Sequence, residues 1–267
     1  MSNEMNSLNF PFGQKLTKVE QTDKAPNKKV FVLGVYASAV HARWLDKDRK
    51  QKVTAMAVAG EPYIFWRGDN AEQIISSIII PKELGKLEQP TNKLMNGPSS
   101  IALDNLFLEP LGYNREQSWL CDLLPESRVN PDQRKVLNMF YNHEITSKYN
   151  LPPANIPDFD EGEIKRKSKQ RHLEILKELE ASGANTLILL GDFPIRWFLN
   201  FFVNKYSKLS NFGNTKETYG RRHNIMINNK SYSVIPLCHP RNAARLGRYS
   251  KKWAELHDNW VKEKTSA

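Results

Sequence analysis

Four short apolar runs, each ending at a residue with conformational or chemical work to do, constrain this chain more than any other feature. Val30-Phe31-Val32-Leu33 runs into Gly34, and Ser118-Trp119-Leu120-Cys121 runs into Asp122. Thr186-Leu187-Ile188-Leu189-Leu190 runs into Gly191, and Tyr232 through Leu237 runs into Cys238-His239. Continuous apolar runs, rather than alternating ones, suit parallel strands covered on both faces. Helical periodicity lies between the later runs. Leu173, Leu176 and Leu179 mark one face of a helix that stops before Gly183. Pro194 fits a first turn, with Ile195, Phe198, Leu199, Phe202 and Val203 following at helical spacing, and a last helix carries Trp253, Leu256 and Trp260 on one stripe. Strands alternating with helices predict an α/β chain, a three-layer α/β/α sandwich around a central, mainly parallel, four-stranded sheet. Residues 29–267 are expected to form that one domain, residues 1–28 a flexible arm, and the Pro- and acid-rich stretch 150–163 a surface connection within the domain.

In such sheets ligands bind beyond the carboxyl ends of the strands. The residues to interrogate are therefore Gly34-Val35-Tyr36-Ala37-Ser38, Asp122, Gly191-Asp192-Phe193-Pro194 and His239-Pro240-Arg241-Asn242. Charge says what could approach them. Lys and Arg number 39 against 29 Asp and Glu, a formal +10, which favours a polyanion such as nucleic acid or an anionic membrane surface. No apolar run reaches the roughly 18 residues of a membrane span. The longest, 74–81, is interrupted by Ser76 and Ser77, and the first 28 residues lack an apolar signal-peptide core. Two cysteines, Cys121 and Cys238, cannot build a disulfide framework or a four-cysteine metal or cluster site. The expectation is a soluble cytoplasmic protein with a polyanionic partner, no cofactor or metal, and no membrane span; the oligomeric state stays open.

Taken together and in order, these strand ends resemble the uracil-DNA glycosylase superfamily over roughly residues 28–260. Val30–Gly34 with a loop to His41 resembles the first motif, where a strand ends in Gly and a loop carries the water-activating residue. Leu187-Ile188-Leu189-Leu190-Gly191-Asp192-Phe193-Pro194 resembles the strand-Gly-helix segment of several branches. Ile235-Pro236-Leu237-Cys238-His239-Pro240-Arg241-Asn242 resembles the final motif, a strand running into His-Pro-Ser and a DNA-penetrating loop. Ser118–Asp122 stands where a strand ends in the base-reading Asn. The resemblance implies a glycosylase that flips a base out of DNA and hydrolyses its N-glycosidic bond. His239 would donate to the departing base as negative charge grows on it. Arg241, Asn242, Arg245, Arg248 and Lys251 would hold DNA through its phosphates. Gly34, Tyr36, Ser38 and Phe65 would line the base pocket.

The sequence also departs from that pattern. Tyr36 stands where one branch has a catalytic Asp and others an Asn, and it cannot act as a carboxylate base. Asp122 replaces the base-reading Asn; an ionised Asp only accepts hydrogen bonds, which suits an exocyclic amino group as on cytosine or adenine. His-Pro-Arg replaces His-Pro-Ser, and Ala243 falls where a wedge Leu is expected. The implied substrate is a base other than plain uracil, with modified cytosine in invading DNA as one candidate, and Asp122 either reads the base or activates water. Two other readings fit the residues: a non-catalytic nucleic-acid binder that keeps the fold, and an enzyme acting on free nucleosides or nucleotides. The latter is disfavoured because no Gly-rich phosphate loop is present. Bland roles also stand beside the functional ones. His239 can serve as a strand-end hydrogen-bonding residue, Asp122 as a cap or turn, Asp192 as a helix N-cap, His41 as a surface or cap residue, Lys165-Arg166-Lys167 as a solvated helix face, Arg221-Arg222-His223 as a turn, and Cys238 as packing.

Overall fold

The structure, a computed structural model, describes residues 8–266. All four apolar runs form strands: β1 (Val30–Tyr36), β5 (Ser118–Leu124), β6 (Thr186–Leu190) and β8 (Lys230–Leu237). They pair in parallel in the order β5-β1-β6-β8. Every residue of β5 and β6 is buried, as a parallel strand covered on both faces requires. The sheet has a fifth strand that the sequence reading lacked. β7 (His223–Ile227) pairs antiparallel with β8 at one edge, so the sheet is mixed and five-stranded rather than four-stranded. Its residues alternate between exposed and buried, and Asn228-Asn229, both at positive φ, turn the chain tightly into β8. The Arg221-Arg222-His223 stretch, read as a turn, thus enters a strand.

Helices cover the sheet. α3 (Glu161–Ser182) packs against β5 and stops at Gly183, whose φ of 71° closes its last turn. Its apolar face is centred on Ile175, Leu176 and Leu179 rather than on Leu173, which is exposed. Residues 192–203 are helical throughout, with a wider π turn over Ile195–Leu199 that buries Ile195, Phe198 and Leu199. α4 (Pro240–Ala243) follows β8 directly, and α5 (Lys251–Thr265) packs beside it with Trp260 buried. The core cluster runs from Val19 through Trp260. The coarse expectation of an α/β chain with a mostly parallel sheet flanked by helices therefore holds.

A second, smaller sheet carries its own core and was not foreseen. β2 (Ala39–Leu45), β3 (Gln51–Gly60) and β4 (Lys86–Glu88) pair antiparallel in the order β3-β2-β4. Trp44, Met56, Val58, Trp66 and Ile75, the last on α1 (Ala71–Ser76), fill a cluster with it. α2 (Pro131–Phe140), started by an Asn130–Gln133 capping box, lies against β3. The expected loop from Gly34 to His41 is consequently not a loop. β1 continues through Tyr36, and His41 belongs to β2, buried, with its ring Nε2 2.7 Å from Gln133 Nε2. Burial holds that imidazole down to about 4, so it is a neutral core histidine.

The segment expected as an arm lies partly on the domain. Residues 1–7 are outside the described residues. Phe10 is fully buried and Val19 nearly so, and Val19 N–H donates to Pro125 O. The side chain of Gln21 accepts from Leu120 N, on the outer side of β5.

Candidate active site at the strand ends

Asp122 is the first side chain to place. It lies two residues inside β5, in register with Gly34 of β1, and is only 4% exposed. It is neither a cap nor a turn residue. A Cβ at Gly34 would run into the Asp122 carboxyl and come within 2.6 Å of Phe65 Cζ, so glycine is required for these two groups to lie across β1. Phe65 is held there with φ at 50°, in the left-handed region. A bulky residue in that region costs of order 1–3 kcal/mol, a strain typical of places where a side chain must be aimed. The aromatic ring and the carboxyl thus share one patch over Gly34.

Glu61 was not singled out from the sequence. It follows Gly60, the last residue of β3, and is 7% exposed. The amides of Ser38 and Trp66 point at its carboxylate and draw its pKa down, but burial, followed by repulsion from Asp122, prevails and pushes it up to about 8. Burial likewise raises Asp122 to about 7, with Arg171 opposing and Glu178 assisting. The only sequence signal for Glu61 was an acid set directly after an apolar strand, and that strand belongs to the unforeseen sheet. Ser38, expected in the pocket, is exposed and takes part through its amide.

Tyr36 joins this patch to the other half of the site. It is half-buried, its hydroxyl pKa is raised by burial, and it feels both Arg241 and Asp122. One face of its ring is already stacked on Phe159 at 5.0 Å, and Phe159 meets Phe193 edge-on at 5.1 Å.

His239 stands beyond β8 as the N-cap of α4. Its Nδ1 accepts a hydrogen bond from Arg241 N at 3.1 Å. Desolvation, and secondarily the Arg241 charge, hold its pKa down to about 4, so at neutral pH the ring is uncharged. With Nδ1 an acceptor, the single proton sits on Nε2, leaving an N–H donor. Gly191, at φ 89°, lies against this histidine: a Cβ there would stand 3.4 Å from His239 Cβ. Asp192 is not the N-cap; Gly191 holds that position, and the Asp192 carboxylate accepts from Leu209 N at 2.7 Å, pinning the following loop.

The cationic stretch after His239 divides into three kinds. Arg241 and Arg248 are exposed, and among the described residues neither makes an ion pair. Arg245 is bound to Asp258 of α5 at 2.6 Å, and Lys251 lies 3.8 Å from Glu255. Asn242 braces the loop, its side-chain oxygen accepting from Ser250 N at 2.9 Å. Ala243 is buried, so it cannot act as a wedge. Lys167 pairs with Glu163 and Arg166 with Asp160, as a solvated helix face should. Both cysteines are buried and free.

The geometry therefore brings Gly34, Phe65 and Asp122 together; Glu61 and Tyr36 both feel the Asp122 charge, and Tyr36 and His239 both feel that of Arg241. Among the described residues, no group of three or more His, Cys, Asp or Glu side chains is placed to hold a metal ion, and no helix is long and apolar enough to cross a membrane. Neither a scan of protein-family models nor a search of curated proteins returns a match to this chain.

Proposed function

We propose that the protein is a DNA glycosylase, similar to the uracil-DNA glycosylase superfamily, that hydrolyses the N-glycosidic bond of a flipped base other than plain uracil. The observation that carries this reading is His239, an uncharged imidazole at a strand end with its donor nitrogen Nε2 and its acceptor nitrogen fixed by Arg241 N. Breaking the bond puts negative charge on the departing base and positive charge on the sugar. A neutral N–H donor stabilises the first without needing a second proton, and the ionised form of Asp122 would stabilise the second. Phe65 supplies a face for the extruded base to stack on, and Arg241 and Arg248 supply phosphate contacts. Modified cytosines, including those of foreign DNA, are the substrate class that the acidic pocket favours, because a carboxylate accepts from an exocyclic amino group.

The test is purified protein on duplex and single-stranded oligonucleotides carrying uracil, cytosine or modified cytosines, with abasic sites read by alkaline cleavage. We expect excision of at least one aminopyrimidine, and His239→Ala to lower its rate by about 10²–10⁴-fold with DNA affinity nearly unchanged. Rapid excision of uracil alone would overturn the substrate reading. Tyr36 at the position of the usual acid, with its ring spent on Phe159, favours a second reading, a non-catalytic DNA binder. That reading predicts salt-dependent affinity and no excision of any base.

A further inference from the structure

Two adjacent apolar side chains stand in solvent on a turn that the fold holds firmly. Leu94 is 60% and Met95 41% exposed, at the end of the one-turn helix Lys93–Met95. Single exposed apolar residues are ordinary on a surface; an adjacent pair on a braced turn calls for an occupant. The brace is Asn96, which is 3% exposed. β4 pairs with β2 only over Arg43–Leu45, so the backbone of His41 is left open at that edge. The Asn96 amide fills the gap: its oxygen accepts from His41 N at 2.8 Å, and its nitrogen donates to His41 O at 3.0 Å. The residue after the exposed pair is thereby bonded to the small sheet as a further strand would be.

The same turn is pressed against the segment that carries Phe65. Gly68 and Gly97, at φ 86° and 74°, let the two backbones touch. A Cβ on Gly68 would lie 2.5 Å from Asn96 O, and one on Gly97 2.1 Å from the carbonyl carbon of Arg67. Phe65 lies three residues before Gly68. Pro98 then starts a short helix, Pro98–Leu103, that packs against α4, the helix capped by His239. Leu94 and Met95 thus belong to a stiff bridge between the Phe65 segment and the His239 helix. Arg67 at one end of that bridge and Arg241 at the other add exposed positive charge.

We propose that Leu94, with Met95 beside it, is the wedge that enters the base stack of duplex DNA and fills the space a flipped base vacates. The proposal rests on the glycosylase reading and supplies a step that the buried Ala243 cannot perform. An extruded base leaves its two neighbours without contact on one face each. An aliphatic side chain in the gap restores that contact. Such a side chain must not yield, because the stack is opened against a fixed surface. Asn96 and the two glycines provide the stiffness, and the flanking arginines suit the phosphates on either side.

The experiment places 2-aminopurine beside the target base in the duplex oligonucleotides and follows its fluorescence, with excision read in parallel on the duplex and single-stranded forms. Full-length wild type is compared with Leu94→Ala, Leu94→Phe and Tyr249→Ala, Tyr249 being an exposed side chain of the loop after α4. Wild-type protein should raise the fluorescence as the stack opens. Leu94→Ala should remove most of that rise and slow duplex excision by at least about tenfold, while single-strand excision stays within about threefold. Leu94→Phe, which also fills the gap, should keep both rates within about threefold of wild type. Thermal melting should be unchanged in both Leu94 variants, because the side chain is exposed. No fluorescence rise with any duplex, equal losses on duplex and single strand, or a loss with Tyr249→Ala and none with Leu94→Ala would overturn the proposal. So would phosphatidylserine vesicles that capture the wild type but not Leu94→Ala while unstacking is unaffected, which would assign the pair to a membrane surface. Fluorescence that rises with the wild type and not with Leu94→Ala, without excision of any base, would instead sink the glycosylase reading and leave the wedge standing.

Discussion

At the scale of single residues, the site depends on positions where nothing larger fits. Gly34→Ala puts a methyl group against the Asp122 carboxyl and the Phe65 ring. Phe65 is already in a strained backbone region, so it has little freedom to retreat. We expect excision by Gly34→Ala to fall by at least about 10²-fold, since small displacements of positioned groups carry costs of that size. The melting temperature should drop by only a few degrees, and a variant that kept its rate would show that Phe65 and Asp122 do not form the pocket. Gly34, Asp122 and His239 are legible in the sequence as the residues that interrupt apolar runs, but β1 continues past Gly34 and β5 past Asp122, so of the three only His239 stands beyond its strand. Glu61 escaped because its position follows from β3 pairing with β2, an antiparallel register with bulges that short, Ala-rich strands do not announce. The Nε2 proton of His239 escaped as well, since it depends on an amide from the turn that follows.

At the scale of elements, the loop between α4 and α5 is braced at two points, Asn242 on Ser250 and Arg245 on Asp258. Sequence reading counted its cations as equivalent, because a partner thirteen residues away across a turn is invisible until the turn is formed. The structure separates them. Arg248→Ala should make the dependence of DNA affinity on salt shallower by about one phosphate contact, whereas Arg245→Ala should change it less. Asp258→Ala releases the Arg245 guanidinium and should tighten DNA binding at low salt. Equal effects of Arg245→Ala and Arg248→Ala in a salt titration by fluorescence anisotropy would argue against this division. The helical elements were legible where an amphipathic stripe met a clear stop, as α3 meets Gly183. The π turn at Ile195–Leu199 was not, because the apolar spacing there fits an ordinary helix equally well.

At the scale of the whole molecule, buried titratable groups pull in opposite directions with pH. His41, His172, His239 and His257 are held down to about 4, chiefly by burial, so below about 6.5 the unfolded chain binds protons that the folded one refuses. Stability therefore falls as pH drops from 6.5 toward 4. Glu61 and Asp122, raised to about 8 and 7, act the other way, because the folded state keeps protons that the unfolded chain has already lost. Stability from them falls as pH rises through 7 and 8. The lowered histidines, His223 among them, outweigh the two acids below 6.5, and the acids prevail above it, so thermal stability should peak near about pH 6.5. Glu61→Gln should flatten the alkaline side of a calorimetric Tm profile while leaving the acid side intact; a profile still rising at pH 8 would contradict this account. The amino-terminal segment has a separate consequence for the molecule as a whole. Gln21 and Val19 occupy hydrogen-bonding groups along the outer side of β5 and its end, the sheet's edge away from β7. An uncovered edge of a long apolar strand is a template for another chain. Removing residues 8–28 should increase self-association through β5, measurable by light scattering; unchanged scattering would show that this edge needs no cover.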